Sequence, residues 1–213
     1  MTKGKIIAAF GISGSGKSTV SREVGKLLKI ETIHEFEEAQ FPLAFVNRAV
    51  SGNFRALMSL NVVRVPMLYI ASQKRNNGET VLLDTFYDKL LVLYMDKDGM
   101  QWLFNKADPY YKEMKGIAEK DYHNLPDIDC LLFFHVDKET WHLFLNKRNR
   151  KLDNEENFRS SNFKSQVHFL EAAKKYCSDK GCKLIVFHQK YSSPKQAAEK
   201  VVAELINQKI IIY

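Results

Sequence analysis

A three-layer α/β/α fold around a five-stranded parallel sheet is predicted by three observations. Five short apolar runs punctuate the chain, helical spacing of apolar residues fills the intervals between them, and the first run passes through a glycine-rich turn into a helix. Strands that alternate with helices pair in parallel, because each helix carries the chain back over one face of the sheet.

The elements follow in order. Lys5-Ile6-Ile7-Ala8-Ala9-Phe10 reads as a buried parallel strand, and Ser18 to Lys29 carries Val20, Val24, Leu27 and Leu28 at helical spacing. Glu31 to His34 is the second strand. Helices are expected over Pro42 to Ser51 and Asn53 to Arg75, and Asn76-Asn77-Gly78 turns the chain into a third strand, Thr80 to Asp84. Tyr87 to Met95 and Tyr110 to Lys120 read as helices on either side of the turn Lys97-Asp98-Gly99. The fourth strand is Cys130 to Val136, followed by helices over Lys138 to Arg150 and Asn162 to Lys180. Asp179-Lys180-Gly181 ends the latter before the fifth strand, Lys183 to His188, and Pro194 to Gln208 is the last helix. No repeat or low-complexity linker divides the chain, so residues 1–213 are expected to form one domain. Trp102 to Tyr111 and Leu152 to Ser161 have the weakest periodicity and are expected to cover a site.

Gly11-Ile12-Ser13-Gly14-Ser15-Gly16-Lys17-Ser18-Thr19 fits the phosphate-loop pattern G-x-x-x-x-G-K-[ST] at every required position. Small residues at Gly11, Ser13, Gly14, Ser15 and Gly16 let consecutive backbone N–H groups turn inward around phosphate oxygens. Lys17 brings a cation to the β- and γ-phosphates, and the Ser18 hydroxyl, beside Thr19, is placed to ligate Mg²⁺. The following helix points its positive dipole end at the phosphate. A nucleoside triphosphate with Mg²⁺ is therefore the expected ligand, against the plainer alternative of a chance glycine turn between a strand and a helix.

The bulk numbers narrow the partners. The chain has 213 residues, 45% hydrophobic and 27% charged, enough for a full core. Its net charge of +7 suits a polyanionic ligand, but no basic stripe interleaves with aromatics and no nucleic-acid-binding signature is present, so sequence-specific nucleic-acid reading is not expected. Three cysteines, Cys130, Cys177 and Cys182, without a C-x-x-C, and an N-terminus that enters a strand directly, point to the reducing cytoplasm. No apolar run is read as a membrane span, and the six histidines show no zinc spacing. The apolar tail Ile210-Ile211-Ile212-Tyr213 suits an edge strand or packing against a partner subunit, so a homodimer is a candidate assembly.

Candidate site residues lie at the ends of strands. Val81-Leu82-Leu83-Asp84 delivers a carboxylate to the metal side, although a turn aspartate after a strand would look the same. Glu31, Glu35, Glu37 and Glu38 crowd the end of the second strand, and Glu35 is singled out to accept the proton of an attacking hydroxyl, with Glu38 as its rival. Phe36, Phe41, Phe45 and Phe86 fall beside that acceptor pocket, where a nucleobase could stack. A lid is expected at about 147–161, with Arg148 and Arg150 meeting charge on the transferred phosphoryl group; a solvated helix end is the alternative.

Three landmarks resemble the thymidylate kinase and deoxynucleoside kinase group of phosphate-loop kinases across nearly the whole chain. Phe10 to Thr19 is similar to the family's first loop. Asn77-Gly78-Glu79-Thr80-Val81-Leu82-Leu83-Asp84 looks like the strand leading to its D-R or E-R dipeptide, and Phe134-His135-Val136-Asp137-Lys138-Glu139-Thr140 continuing to Arg148-Asn149-Arg150-Lys151-Leu152-Asp153 resembles the strand, helix and R-x-R lid. The resemblance implies a nucleoside/nucleotide kinase-like fold, ATP as donor and a small nucleoside or nucleotide acceptor. It also implies a base at Glu35, although Glu35-Phe36-Glu37 lacks the proline of the family's E-P-V. The family's arginine after the acid is Thr85 here, leaving Arg48, Arg64 or a lid arginine to replace it, and Ser13 stands where thymidylate kinases carry an acid. The carboxylate crowd favours a neutral nucleoside over a monophosphate. Phosphorylation of another small hydroxyl compound, and a nucleotide-binding regulatory protein, stay open as alternatives.

Overall fold

The computed structural model describes residues 4–36, 48–148 and 156–212, with the side chains of 48–51 and 156–158 outside that description. Five strands form one sheet: β1 (Ile6–Phe10), β2 (Glu31–Ile33), β3 (Val81–Leu83), β4 (Cys130–Val136) and β5 (Lys183–Gln189). Every pairing is parallel, in the order β2-β3-β1-β4-β5, with Ile6 opposite Val81, Ile7 opposite Cys130 and Cys130 opposite Lys183. β1 lies at the centre, which is why all five of its residues are buried and apolar.

The helices are α1 (Lys17–Leu28), α2 (Arg48–Asn76), α3 (Leu91–Tyr94, entered through a 3₁₀ turn at Asp88–Leu90), α4 (Tyr111–Asn124), α5 (Lys138–Arg148), α6 (Glu156–Lys180) and α7 (Pro194–Asn207). Side chains alternate across the sheet and sort the core into two halves. Ile7, Ala9, Leu132 and Phe134 meet Val20 and Val24 of α1 and Val201 and Leu205 of α7. Ile6, Ala8, Phe10 and Phe133 meet Met67 and Ala71 of α2, Met114 and Ala118 of α4, and Phe169, Ala173 and Tyr176 of α6. The three-layer architecture is the expected one.

The differences have local causes. The two helices expected around residue 52 are one element broken at Gly52, whose φ of 77° and ψ of 161° depart from helical geometry; residues 42–47 lie outside the described part. α6 starts at Glu156 rather than Asn162, because Glu156-Asn157-Phe158-Arg159-Ser160-Ser161 has one apolar residue and so shows no helical period. The stretch Gly52–Asn76 also corrects the reading of apolar runs. Among the described residues it alone is long and apolar enough to cross a membrane by length and composition. It packs into the core against the sheet through Met67, Leu68 and Ala71, and it carries Arg64 to the carboxyl ends of the strands.

Candidate active site

The phosphate loop leaves β1 at the centre of the sheet. Gly14 has φ +81°, and a Cβ there would stand 2.5 Å from Leu145 Cδ2 and 3.1 Å from Trp141 Nε1, so both conformation and space demand glycine. α5 and α6 brace the loop from outside: Trp141 Nε1 donates to the Ser13 carbonyl at 2.8 Å, Asn162 Nδ2 donates to the same oxygen at 3.2 Å, and both terminal nitrogens of Arg148 donate to Ser13 Oγ at 3.3 Å. Lys17 is buried, and its Nζ donates to the carbonyls of Gly11 and Ile12, each at 2.9 Å. Among the described residues no carboxylate pairs with it. Ser15 is fully buried with its Oγ unpartnered among those residues, whereas Ser18 and Thr19 are exposed at the start of α1. A buried cation held only by carbonyls, an orphaned hydroxyl and a helix N-terminus form a cradle whose chemistry fits a phosphate and, at Ser18, its metal ion.

The ends of β2 and β3 build the other side. Asp84, 3% exposed, ties them together: its Oδ1 accepts the Glu35 N–H at 2.7 Å, and its Oδ2 lies 2.9 Å from His34 Nδ1. The Glu35 carboxylate meets Arg64, with Nε donating to Oε1 at 2.6 Å and a terminal nitrogen 2.5 Å away. Arg64 also lies 3.9 Å from Asp88 Oδ2 and 4.8 Å from the centre of the Tyr87 ring. Lys17 Nζ lies 5.5 Å from that ring centre, and the Tyr87 hydroxyl donates to the Gly11 carbonyl at 2.6 Å. Tyr87 therefore joins the phosphate loop to the acidic side.

Behind it, Asn61 Nδ2 donates to Asp88 at 3.2 Å and to Asp121 at 3.0 Å. Burial opposes the charge on Arg64, but Glu35 and Asp88 outweigh it and raise the guanidinium's pKa. Burial raises the pKa of Asp88 against the pull of Arg64 and Asn61, and it raises that of Asp121. A narrow cleft lined in part by Leu57, Met58, Asn61, Arg64, Asp88 and Met114 lies beside these groups. Its walls combine apolar side chains with a few convergent polar groups.

Several expected residues come together here: Lys17 on one side of Tyr87, Glu35 and Arg64 on the other, with Asp84 against Glu35. Arg64 supplies a guanidinium where Thr85 cannot; the Thr85 hydroxyl is buried without a partner among the described residues. Phe86 is a correction. It is 4% exposed and packs edge-on to Tyr176 at 5.4 Å, so its ring belongs to the core and its neighbour Tyr87 faces the site. Phe36 is exposed beyond Glu35. Arg48 begins α2 with its side chain undescribed, and Glu37, Glu38, Phe41, Phe45 and Arg150 lie outside the described residues, as do 149–155 of the expected lid. His34, Asn61, Tyr87, Asp88, Asp121, Trp141 and Asn162 had no assigned role in the sequence reading. Only Asp88, four residues beyond Asp84, carried a local signal.

No protein-family model matches the chain, and no curated protein matches it. Solved structures do. The chain has the fold of the phosphate-loop nucleoside and nucleotide kinases. It is similar to deoxyadenosine kinase from M. mycoides with bound dATP, at TM-score 0.68 and 20% identity over 94% of this chain and 99% of that one. It is similar as well to thymidylate kinase from Candida albicans, at TM-score 0.61 and 18% identity over 97% and 93% of the two chains. Shikimate kinase from Acinetobacter baumannii, in complex with shikimate, superposes at TM-score 0.56 and 12% identity over 98% and 96%.

Proposed function

We propose that this chain is an ATP- and Mg²⁺-dependent kinase that transfers the γ-phosphoryl group to a hydroxyl of a (deoxy)nucleoside. The observation that carries the reading is the continuity of the site: a buried Lys17 with no acidic partner among the described residues, then Tyr87, then the Arg64–Glu35 pair, from phosphate loop to acceptor cleft in one contact chain. The acceptor oxygen attacks the γ-phosphorus in line, the bond to the bridging β,γ-oxygen breaks to release ADP, and Glu35 takes the hydroxyl proton. Arg64 fixes the Glu35 carboxylate, and Arg148, at the end of α5 against Ser13, meets charge on the transferred group. Ser18 and Asp84 would hold the metal ion, which neutralises phosphate charge when bound.

Charge supports one acceptor class over the other. Glu35, Asp84, Asp88 and Asp121 outnumber Arg64 in the bonded cluster beside the cleft, which favours a neutral nucleoside over the dianion of a monophosphate. The superposable kinases are named for deoxyadenosine, thymidylate and shikimate, so their shared fold does not make this choice. A screen with Mg-ATP and separate panels of nucleosides, monophosphates and small alcohols, read as ADP release, tests it. Release that depends on a nucleoside is expected. Release that depends only on a monophosphate or a non-nucleoside alcohol overturns the acceptor assignment, and ATP binding without acceptor-dependent release overturns the kinase.

A further inference from the structure

All three cysteines lie at the amino edge of β4 and β5, the end of the sheet away from the phosphate loop. Cys177 is in the last turn of α6, the chain reverses at Gly181, and Cys182 directly precedes β5. The Cys182 thiol donates to Cys177 Sγ with the sulfurs 2.6 Å apart, and Cys177 lies 3.8 Å from the Lys183 carbonyl. Cys177 is 7% exposed, whereas Cys182 is only partly covered. Cys130 begins β4 and is fully buried, but it packs on the α1 and α7 face of the sheet while the other two pack on the α6 face. The sheet backbone therefore stands between Cys130 and the pair. Among the described residues no group of three His, Cys, Asp or Glu side chains is arranged to hold a metal ion.

We propose that Cys177 and Cys182 are a two-electron oxidation site for peroxide, with Cys182 as the attacked thiol and Cys177 as the resolving one. The thiolate of Cys182, the more accessible sulfur, attacks one peroxide oxygen; the O–O bond breaks, hydroxide leaves, and Cys182 becomes a sulfenic acid. Cys177 then attacks the Cys182 sulfur, the S–O bond breaks, and hydroxide leaves with the proton of Cys177 as water. Two thiols and one hydrogen peroxide become one disulfide and two waters. Hydrogen-bond contact between the two thiols, the larger cause, and burial raise the pKa of Cys177, so it is the poorer first nucleophile. Cys130, its pKa raised to about 12 chiefly by burial, takes no part.

The sequence makes the test direct and independent of the kinase reading. Trypsin cuts after Lys175, Lys180 and Lys183, so Tyr176–Lys180 and Gly181–Lys183 are separate peptides that only a 177–182 disulfide joins. The folded protein is treated with hydrogen peroxide, alkylated under denaturing conditions and digested. The expected result is the joined peptide pair, its separation by dithiothreitol, and an alkylated Cys130. Cys177→Ser should abolish the pair and leave Cys182 as a sulfenic acid trapped by dimedone, while Cys130→Ser should leave the yield of the pair unchanged. Oxidation of Cys182 to sulfinic acid in the wild type without the joined pair, a bond to Cys130, or three unmodified thiols overturns the proposal.

Discussion

Arg64→Met separates the structural and functional roles of the acidic side. Arg64, Glu35 and Asp88 have side-chain exposures of 14%, 23% and 11%, so the cluster is neither a surface pair nor a dry interior one. Breaking a fully buried pair costs about 3–5 kcal/mol. An exposed pair contributes about 0–1 kcal/mol. With partial solvent access and with methionine restoring much of the lost volume, a cost of about 2 kcal/mol is expected. In a chain of this size each kcal/mol lowers the melting temperature by about 2–4 °C, giving a fall of about 4–8 °C. If Arg64 also fixes the catalytic carboxylate, kcat/KM for the acceptor should fall about 10²-fold in the fraction that stays folded, because small misplacements of a reacting group are that costly. Arg64→Lys should recover part of the stability but little of the rate, since an ammonium cannot hold Glu35 through two nitrogens. Thermal denaturation and steady-state kinetics on the same preparations decide the matter. A lowered melting temperature with kcat/KM unchanged would leave Arg64 a purely structural cation and refute the positioning argument.

Lys17→Ala should keep the fold, since its partners are two loop carbonyls, and reduce phosphoryl transfer to background; near-normal turnover by a circular-dichroism-verified variant would remove Lys17 from the donor site. Asp84→Asn should lower activity with partial recovery at raised Mg²⁺, measured as a shift in the metal dependence, whereas an unshifted dependence makes Asp84 a strut between β2 and β3. Arg148→Ala should lower kcat more than it weakens ATP binding, so equal losses in a binding isotherm and in kcat point to ground-state contact alone. Asp88 gives a pH signature. Burial raises its pKa in the folded chain, so the stability linked to its protonation is complete below the ordinary carboxylate pKa of about 4 and is lost as pH rises through the folded value. The difference in unfolding free energy between wild type and Asp88→Asn should therefore be smallest in acid, shift in favour of the variant as pH rises from the ordinary carboxylate pKa to the raised folded value, and stay level above it; a pH-independent difference contradicts this.

The donor half of the site is legible because its residues are contiguous. Gly11 to Thr19 is one motif between a buried strand and a helix, and each of its parts can be read without knowing what packs on it. The acceptor half depends on contacts the chain makes across long separations, Glu35 with Arg64 over 29 residues and Asn61 with Asp121 over 60, as do the braces on the phosphate loop, Ser13 with Trp141 and Asn162 over 128 and 149. No periodicity records such pairings. The exchange of Phe86 for Tyr87 has a different cause. Beyond the last residue of β3 the strand alternation no longer fixes which side chain faces the core, and an error of one residue reverses the face. The start of α6 was obscured because its first six residues contain a single apolar residue, Phe158, and leave no period to read.

Tyr87 explains how the two halves can operate together. Its hydroxyl and Lys17 Nζ both donate to the Gly11 carbonyl, so that oxygen has two partners. In the proposed reaction a triphosphate draws Lys17 toward its β- and γ-oxygens and away from the loop carbonyls. The Gly11 carbonyl then keeps the Tyr87 hydroxyl, and the loop does not have to bury an unsatisfied acceptor, a loss of about 1–3 kcal/mol. The same ring lies against the Arg64 guanidinium, which is bound to Glu35. Filling the donor cradle thus leaves the Tyr87 hydroxyl anchored to the loop while its ring keeps Arg64, and through it the Glu35 carboxylate, in place on the acceptor side. In the proposed kinase the tyrosine, arginine and glutamate are accounted for together by an acceptor seated beside the triphosphate.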